Sequence, residues 1–169
     1  MRHAVESTLA TIIVPGAAVI LIPWLILRQF GGGAPARLGP LEILALAGAV
    51  LGAGMVIWVS FAFVRQGHGT PIPVDPPAEF VANGLFRYVR NPMYVGALLI
   101  LASEVALFRS WPLLLYAFLL WLALHTFLVV FEEPQLKRRF GAAYLEYLAT
   151  TPRWIPRLRP TSSQGGPVR

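Results

Sequence analysis

The chain has 169 residues, 56% of them hydrophobic and only 13% charged, with a mean hydropathy of +0.63; soluble domains carry about a quarter charged residues, which argues against a water-soluble globule. With no cysteine, disulfides, thiolate metal sites, iron–sulfur clusters and cysteine nucleophiles are excluded. The net charge of +6 comes from basic residues that flank apolar runs, a pattern that fits an anionic membrane surface and not nucleic acid.

A helix crosses a hydrocarbon core of about 30 Å in about 20 residues. Four apolar runs approach that length, at about 9–27, 41–64, 93–108 and 111–131. The first contains Pro15 and Pro23, which kink a helix and leave carbonyls for its neighbours to satisfy. The Gly31-Gly32-Gly33 run stops it. It is too long for the core of a signal peptide, and Ala34-Pro35-Ala36 lies too far beyond it to be a cleavage box. The second run opens with Glu42 after Pro40 and carries Gly48, Gly52 and Gly54, small residues that let helices pack closely. The stretch 69–77 reads GTPIPVDPP, which predicts extended chain near polyproline II.

The third and fourth runs are separated only by Arg109-Ser110, which predicts a tight antiparallel hairpin with Pro112 in the first turn of the last span. After it, Leu136, Phe140, Tyr144, Tyr147 and Leu148 recur at helical spacing between Lys137, Arg138, Arg139 and Glu146. This predicts an amphipathic helix over about 134–149, lying at the interface or docked on the bundle, and Pro152 ends it. Lys137, Arg138 and Arg139 read as topology-fixing or lipid-touching charges. Gly141 costs a helix about 1 kcal/mol against alanine, which points to a close backbone approach. Residues 161–169 read as a disordered tail behind a single domain spanning 1–160. The fold class is therefore all-α integral membrane, with four transmembrane helices, a C-terminal helix hairpin and a cytoplasmic amphipathic helix.

With four crossings, eleven basic residues (Arg2, Arg65, Arg87, Arg90, Lys137, Arg138, Arg139, Arg153, Arg157, Arg159 and Arg169) share one side. Only Arg28, Arg37 and Arg109 lie on the other. Positive charge stays inside, so both termini are expected in the cytoplasm. Thirteen arginines against one lysine suggest a GC-rich genome and hence a bacterial inner membrane.

Folding the hairpin at residue 110 places residue i beside roughly 220 − i. Tyr94 then lies level with His125 and Thr126, Asn91 with Val129, and Tyr88 with Glu132. His125, Leu128 and Glu132 fall on one helix face. Both charge signs thus collect at the cytoplasmic end in a partly desolvated concavity; an ionisable group such as His125 within a membrane segment is functional by default, with a packing role for His125 and a solvated helix end for Glu132-Glu133 as the alternatives. Glu104 sits toward the other leaflet, near Arg109, where it snorkels or pairs. Trp24, Trp58, Trp111 and Trp121 read as belt or packing residues.

Two motifs carry a resemblance. One runs GLFRYVRNPMYVG from Gly84 to Gly96; the other runs EEPQLKRRFG from Glu132 to Gly141, followed by AAYLEY and later Pro152-Arg153. In that order around a membrane hairpin, over about residues 65–157, they resemble the isoprenylcysteine carboxyl methyltransferase family and the related phospholipid methyltransferases. The resemblance implies a membrane methyltransferase using S-adenosylmethionine, with the cofactor at the cytoplasmic end of the last hairpin. By motif, Ala78, Glu79, Phe80 and Val81, then Phe86, then Asn91, Pro92, Met93 and Tyr94, with Glu132 and Glu133, line its pocket. Arg90, Asn91 and His125 stand as catalytic candidates, Leu128 and Arg153 as substrate-facing ones, and no metal is called for. The chain departs from the family at residue 91, often a histidine there, because Asn91 cannot carry charge. It departs again at Leu128, where eukaryotic members hold the substrate carboxylate with an arginine.

Chemically, Glu132 suits the ammonium or ribose of the cofactor. Phe86, Tyr88 and Tyr94 offer aromatic faces to a cation, and Arg90 suits a carboxylate or an anionic head group. The donor is already activated, so the protein mainly positions it and excludes water. The expected acceptor is a lipophilic small molecule or lipidated partner drawn from the membrane lipids. Two other readings stay open: an NADPH-dependent sterol-type membrane reductase, and a non-catalytic helical membrane protein.

Overall fold

A computed structural model describes residues 16–32, 38–66 and 83–159, and among them no strand occurs. Helix α1 (Ala17–Phe30) opens with a π-helical turn over Ala17–Leu21 and continues regularly over Ile22–Phe30. The buried Pro23 follows directly on the π turn, where the helix changes from π to regular α geometry. Gly31, at φ 74°, stops the helix. Pro15, the GTPIPVDPP stretch and the tail lie outside the described residues.

Helix α2 (Pro40–Gln66) has 27 residues, about 40 Å of rise. Helices α3 (Pro92–Phe108) and α4 (Trp111–Phe127) flank a two-residue turn, in which Arg109 adopts a left-handed backbone at φ 48°. α4 then runs without a break through a π turn, Leu128–Glu132, into α5 (Glu133–Thr150). The amphipathic segment is thus a direct continuation of the last apolar helix. It bends at Gly141 (φ 55°, ψ −127°). A Cβ added there meets nothing within 4 Å, so Gly141 serves backbone conformation and not the close approach expected from sequence.

α3 packs most extensively on α2, antiparallel to it, and less on its hairpin partner α4. Glycine decides this. A Cβ on Gly52 would come 2.5 Å from the Gly96 carbonyl oxygen, and one on Gly96 would come 2.7 Å from that of Gly52. The backbones therefore touch, as small residues permit between membrane helices. Farther along, Gly48 receives the Ser103 side chain. At the far end Arg109 Nη2 donates to Glu42 Oε1 at 2.8 Å, while the Gly39 N–H donates to Glu42 Oε2 at 3.0 Å. Arg109 thus pairs across to α2 and not with Glu104. Between α1, α3 and α4 lies a small core of Val19, Ala97 and Leu101, against which Tyr116 packs while its hydroxyl donates to the Ala18 carbonyl at 2.8 Å.

The surface is apolar. Leu44, Val50, Ile57, Phe61, Trp111 and Phe118 are all exposed. Among the described residues two helices, Pro40–Ala62 and Trp111–Thr150, are long and apolar enough to cross a membrane, and 17% and 11% of their most apolar windows are buried. A soluble core helix would hide most of that surface; these present it outward.

Candidate functional site

The site forms where the approach to α3, the α4–α5 junction and the segment after α5 meet. Gly84 opens a 3-10 turn, Gly84–Arg87, at φ 58°. Its missing side chain makes room for Trp58, whose ring would lie 2.0 Å from an added Cβ. The chain then passes through the fully buried Val89 to Asn91 and enters α3 at Pro92, a favoured first helical residue.

Arg90 is the hub. Its Nη1 donates to Glu133 Oε1 at 3.0 Å, its Nη2 to the Leu148 carbonyl at 2.9 Å, and its Nε to the Thr151 carbonyl. Glu133 also accepts a two-pronged pair from Arg153, Nε to Oε1 at 2.8 Å and Nη2 to Oε2 at 3.0 Å. Fork-to-carboxylate pairing of this kind is the strong, directional form of an ion pair. Burial pushes the Glu133 carboxyl up, but the Arg153 hydrogen bonds and the charges of Arg153, Arg90 and Lys137 hold it below the usual carboxylate range. The Arg153 guanidinium is raised in turn, chiefly by its hydrogen bonds to Glu133.

The same frame ties down a C-terminal strap over residues 151–157. Pro152 O accepts from the Arg90 N–H at 2.9 Å, Tyr88 O from the Arg157 N–H at 3.0 Å, and Arg153 O from Asn91 Nδ2 at 3.3 Å. The Arg157 side chain donates to the Thr150 carbonyl. Tyr147, on the buried stripe of α5, donates to the Phe86 carbonyl at 2.7 Å. Beyond the bend at Gly141, then, the amphipathic helix turns its apolar side onto the site.

Glu132 is used differently. It lies at the end of the π turn, a feature common at functional sites. The Tyr94 hydroxyl hydrogen-bonds its carboxylate, Glu133 sits beside it as a like charge, and among the described residues no cation pairs with it. An acid in that setting suits a cationic partner.

The described site candidates divide by what they touch. Tyr94 meets Glu132, whereas Arg90, Asn91, Glu133 and Arg153 join one network. The 220 − i register placed residue 126, not Glu132, beside Tyr94; α3 leans on α2, so the hairpin arms are not evenly matched. Phe86 and Met93 are half-buried, Pro92 is buried, and Leu128 is fully buried. Ala78, Glu79, Phe80 and Val81 lie outside the described residues. His125 stacks on Trp121, with ring centroids 5.4 Å apart, and its Nδ1 accepts from Trp154 Nε1 at 3.2 Å. The sequence reading passed over Trp154 entirely; the one available signal was an aromatic residue set among the basic residues behind Pro152.

A family model for phospholipid methyltransferases matches residues 42–143, from the buried glutamate that opens α2 to just past the bend at Gly141. That is more than half of the sequence. The chain belongs to the phospholipid methyltransferase family. No curated protein matches it. The family match takes in Arg90, Tyr94, Glu132 and Glu133, and stops short of the strap that closes over them. Membership sets the activity class as methyl transfer at a membrane.

Proposed function

We propose that this phospholipid methyltransferase family member transfers a methyl group from S-adenosylmethionine to a lipophilic, membrane-partitioned acceptor bearing a carboxylate, an amine head group or similar, at the cytoplasmic end of α3 and α4. The reading includes four membrane crossings, both termini in the cytoplasm and a bacterial inner membrane. The observation that carries it is the Glu132 carboxylate, held by Tyr94 and lacking a cation among the described residues.

The donor set suits the cofactor's charges. Glu132 accepts from an ammonium or a ribose hydroxyl. Two guanidinium groups share the single charge of Glu133, which leaves one positive charge in surplus for a carboxylate or an anionic head group. When bound, S-adenosylmethionine supplies a methyl group already activated by its sulfonium. The chain's residues then have three tasks. Glu132 and Tyr94 hold the cationic side, the Arg90–Glu133–Arg153 frame fixes the anionic side, and the strap keeps water from the reacting pair. Positioning and desolvation of this sort are what an activated donor requires.

Titration of detergent-solubilised protein with S-adenosylmethionine, S-adenosylhomocysteine and NADPH tests the reading; the first two bind and the third does not. Glu132→Gln keeps the shape and the Tyr94 contact but loses the charge. It weakens S-adenosylmethionine binding by about tenfold, as expected for a charge-assisted hydrogen bond, with an unchanged melting temperature. Unaltered affinity in that variant removes Glu132 from the site, and binding of NADPH alone transfers the protein to reductase chemistry.

A further inference from the structure

We propose that His125 and Trp154 form a latch that closes the membrane-facing flank of the Glu132–Tyr94 site behind a bound lipophilic acceptor, with His125 a positioning residue and not the proton acceptor. The acceptor's role rests on the function proposed above; the latch itself does not.

The direction of the hydrogen bond is forced. An indole N–H only donates, so His125 Nδ1 must accept. The ring is then neutral with its proton on Nε2, and its one acceptor position is taken up by the strap. Ring contacts reinforce the arrangement: the Trp154 ring stacks on that of His125 with centroids 6.2 Å apart and meets that of Trp121 at a tilt, 6.4 Å away.

The location gives the latch its purpose. Phe118, Trp121 and His125 succeed one another at three- and four-residue steps on one face of α4, which leads past the buried Leu128 of the π turn toward Glu132. The other ties of the strap (Arg90 N–H to Pro152, Arg157 N–H to Tyr88, Arg153 to Glu133) sit at the cytoplasmic end. Trp154 alone reaches back along α4, to a residue seven positions before Glu132, about 10 Å of helical rise. A lipid-like molecule that approaches along this face meets the indole before it meets the carboxylate. Two aliphatic residues would seal the same surface without the desolvation cost of an imidazole. A single neutral hydrogen bond, by contrast, opens readily and reseals in one geometry, because its net worth is small.

The test uses the full chain in nanodiscs of phosphatidylethanolamine and phosphatidylglycerol, with trypsin cleavage after Arg153 and Arg157 followed by mass spectrometry. His125→Ala removes the acceptor, and Trp154→Phe keeps a ring but removes the donor. Each accelerates cleavage about fivefold, the factor one net hydrogen bond supplies. His125→Asn, whose side-chain oxygen can accept in place of Nδ1, returns cleavage to the wild-type rate. Transfer of radiolabelled methyl to the nanodisc lipids follows the same order, depressed in His125→Ala and restored in His125→Asn. Equal cleavage in all four proteins overturns the latch, as does His125→Asn behaving like His125→Ala in either readout. If the wild-type protein transfers no label, the proposed function falls while the cleavage rates still decide the latch.

Discussion

Helix α3 is held in two ways that share almost no chemistry. Along its middle it meets α2 through bare backbone, Gly96 against Gly52, with no charged group taking part. Just before its first turn, Arg90 spends its donors on a carboxylate and two carbonyls drawn from α5 and the strap. The glycine seam depends on closeness alone, which suits a region with no water to compete or assist. The arginine frame depends on direction, and it unites segments that are more than 40 residues apart in sequence. The two are complementary: the seam sets where the helices stand, and the frame sets how α5 and the strap are held against the start of α3.

The largest effect is expected from breaking the frame. Glu133→Ala leaves Arg90 and Arg153 without a counter-charge, with side chains only 16% and 26% exposed. Loss of one partner from such a cluster costs about 3–5 kcal/mol. The melting temperature in detergent should fall steeply and S-adenosylmethionine binding should vanish with it. A variant that melts like the wild type would mean that water, not the arginines, satisfies Glu133.

Breaking the seam should cost less and read out differently. In Gly96→Ala the new methyl would lie 2.7 Å from the Gly52 carbonyl oxygen and 3.0 Å from Met55 Cβ. The helices must separate, at about 1–3 kcal/mol for overpacking. Because the frame does not pass through Gly96, a folded Gly96→Ala protein keeps its S-adenosylmethionine affinity. Loss of affinity with an unchanged melting temperature would show that the two devices are coupled.

Sequence reading reached the seam's ingredients and the frame's, but not their assignments. Apolar run length sufficed for the helices: 41–64 became Pro40–Gln66, and 93–108 became Pro92–Phe108. Gly48, Gly52 and Gly54 read alike as packing residues, yet a Cβ on Gly54 would meet nothing within 4 Å; which helix each faces is a tertiary fact that no local pattern encodes. The tight hairpin formed as expected, but its 220 − i register missed for that reason, since it assumed evenly matched arms while α3 leans on α2. At the site, Arg90, Glu132 and Glu133 were legible from their motifs and from their common level at one end of the hairpin. Their division into one framework acid and one acid without a cationic partner was not, because it depends on Arg153 folding back from beyond Pro152. Trp154 stayed hidden because its partner, His125, lies 29 residues earlier on another element.

The smallest expected effect separates two reasons for being glycine. At Gly96 the backbone is helical and the space is missing; at Gly141 the space is open and the backbone is unusual, at φ 55° and ψ −127°. An L-residue at Gly141 therefore meets no clash with a neighbour and bears only the local conformational cost, about 1 kcal/mol once the flanking turns relax. Relaxation means straightening, because alanine favours the continuous helix. The frame, which holds Leu148 and Thr151 beyond the bend, opposes full straightening, so a partial one loosens the Tyr147 bond to the Phe86 carbonyl. Gly141→Ala should therefore lower the melting temperature only slightly, while slowing methyl transfer more than Gly96→Ala does. Equal activity in the two variants would mean that the bend is incidental and that the second half of α5 stays docked without it.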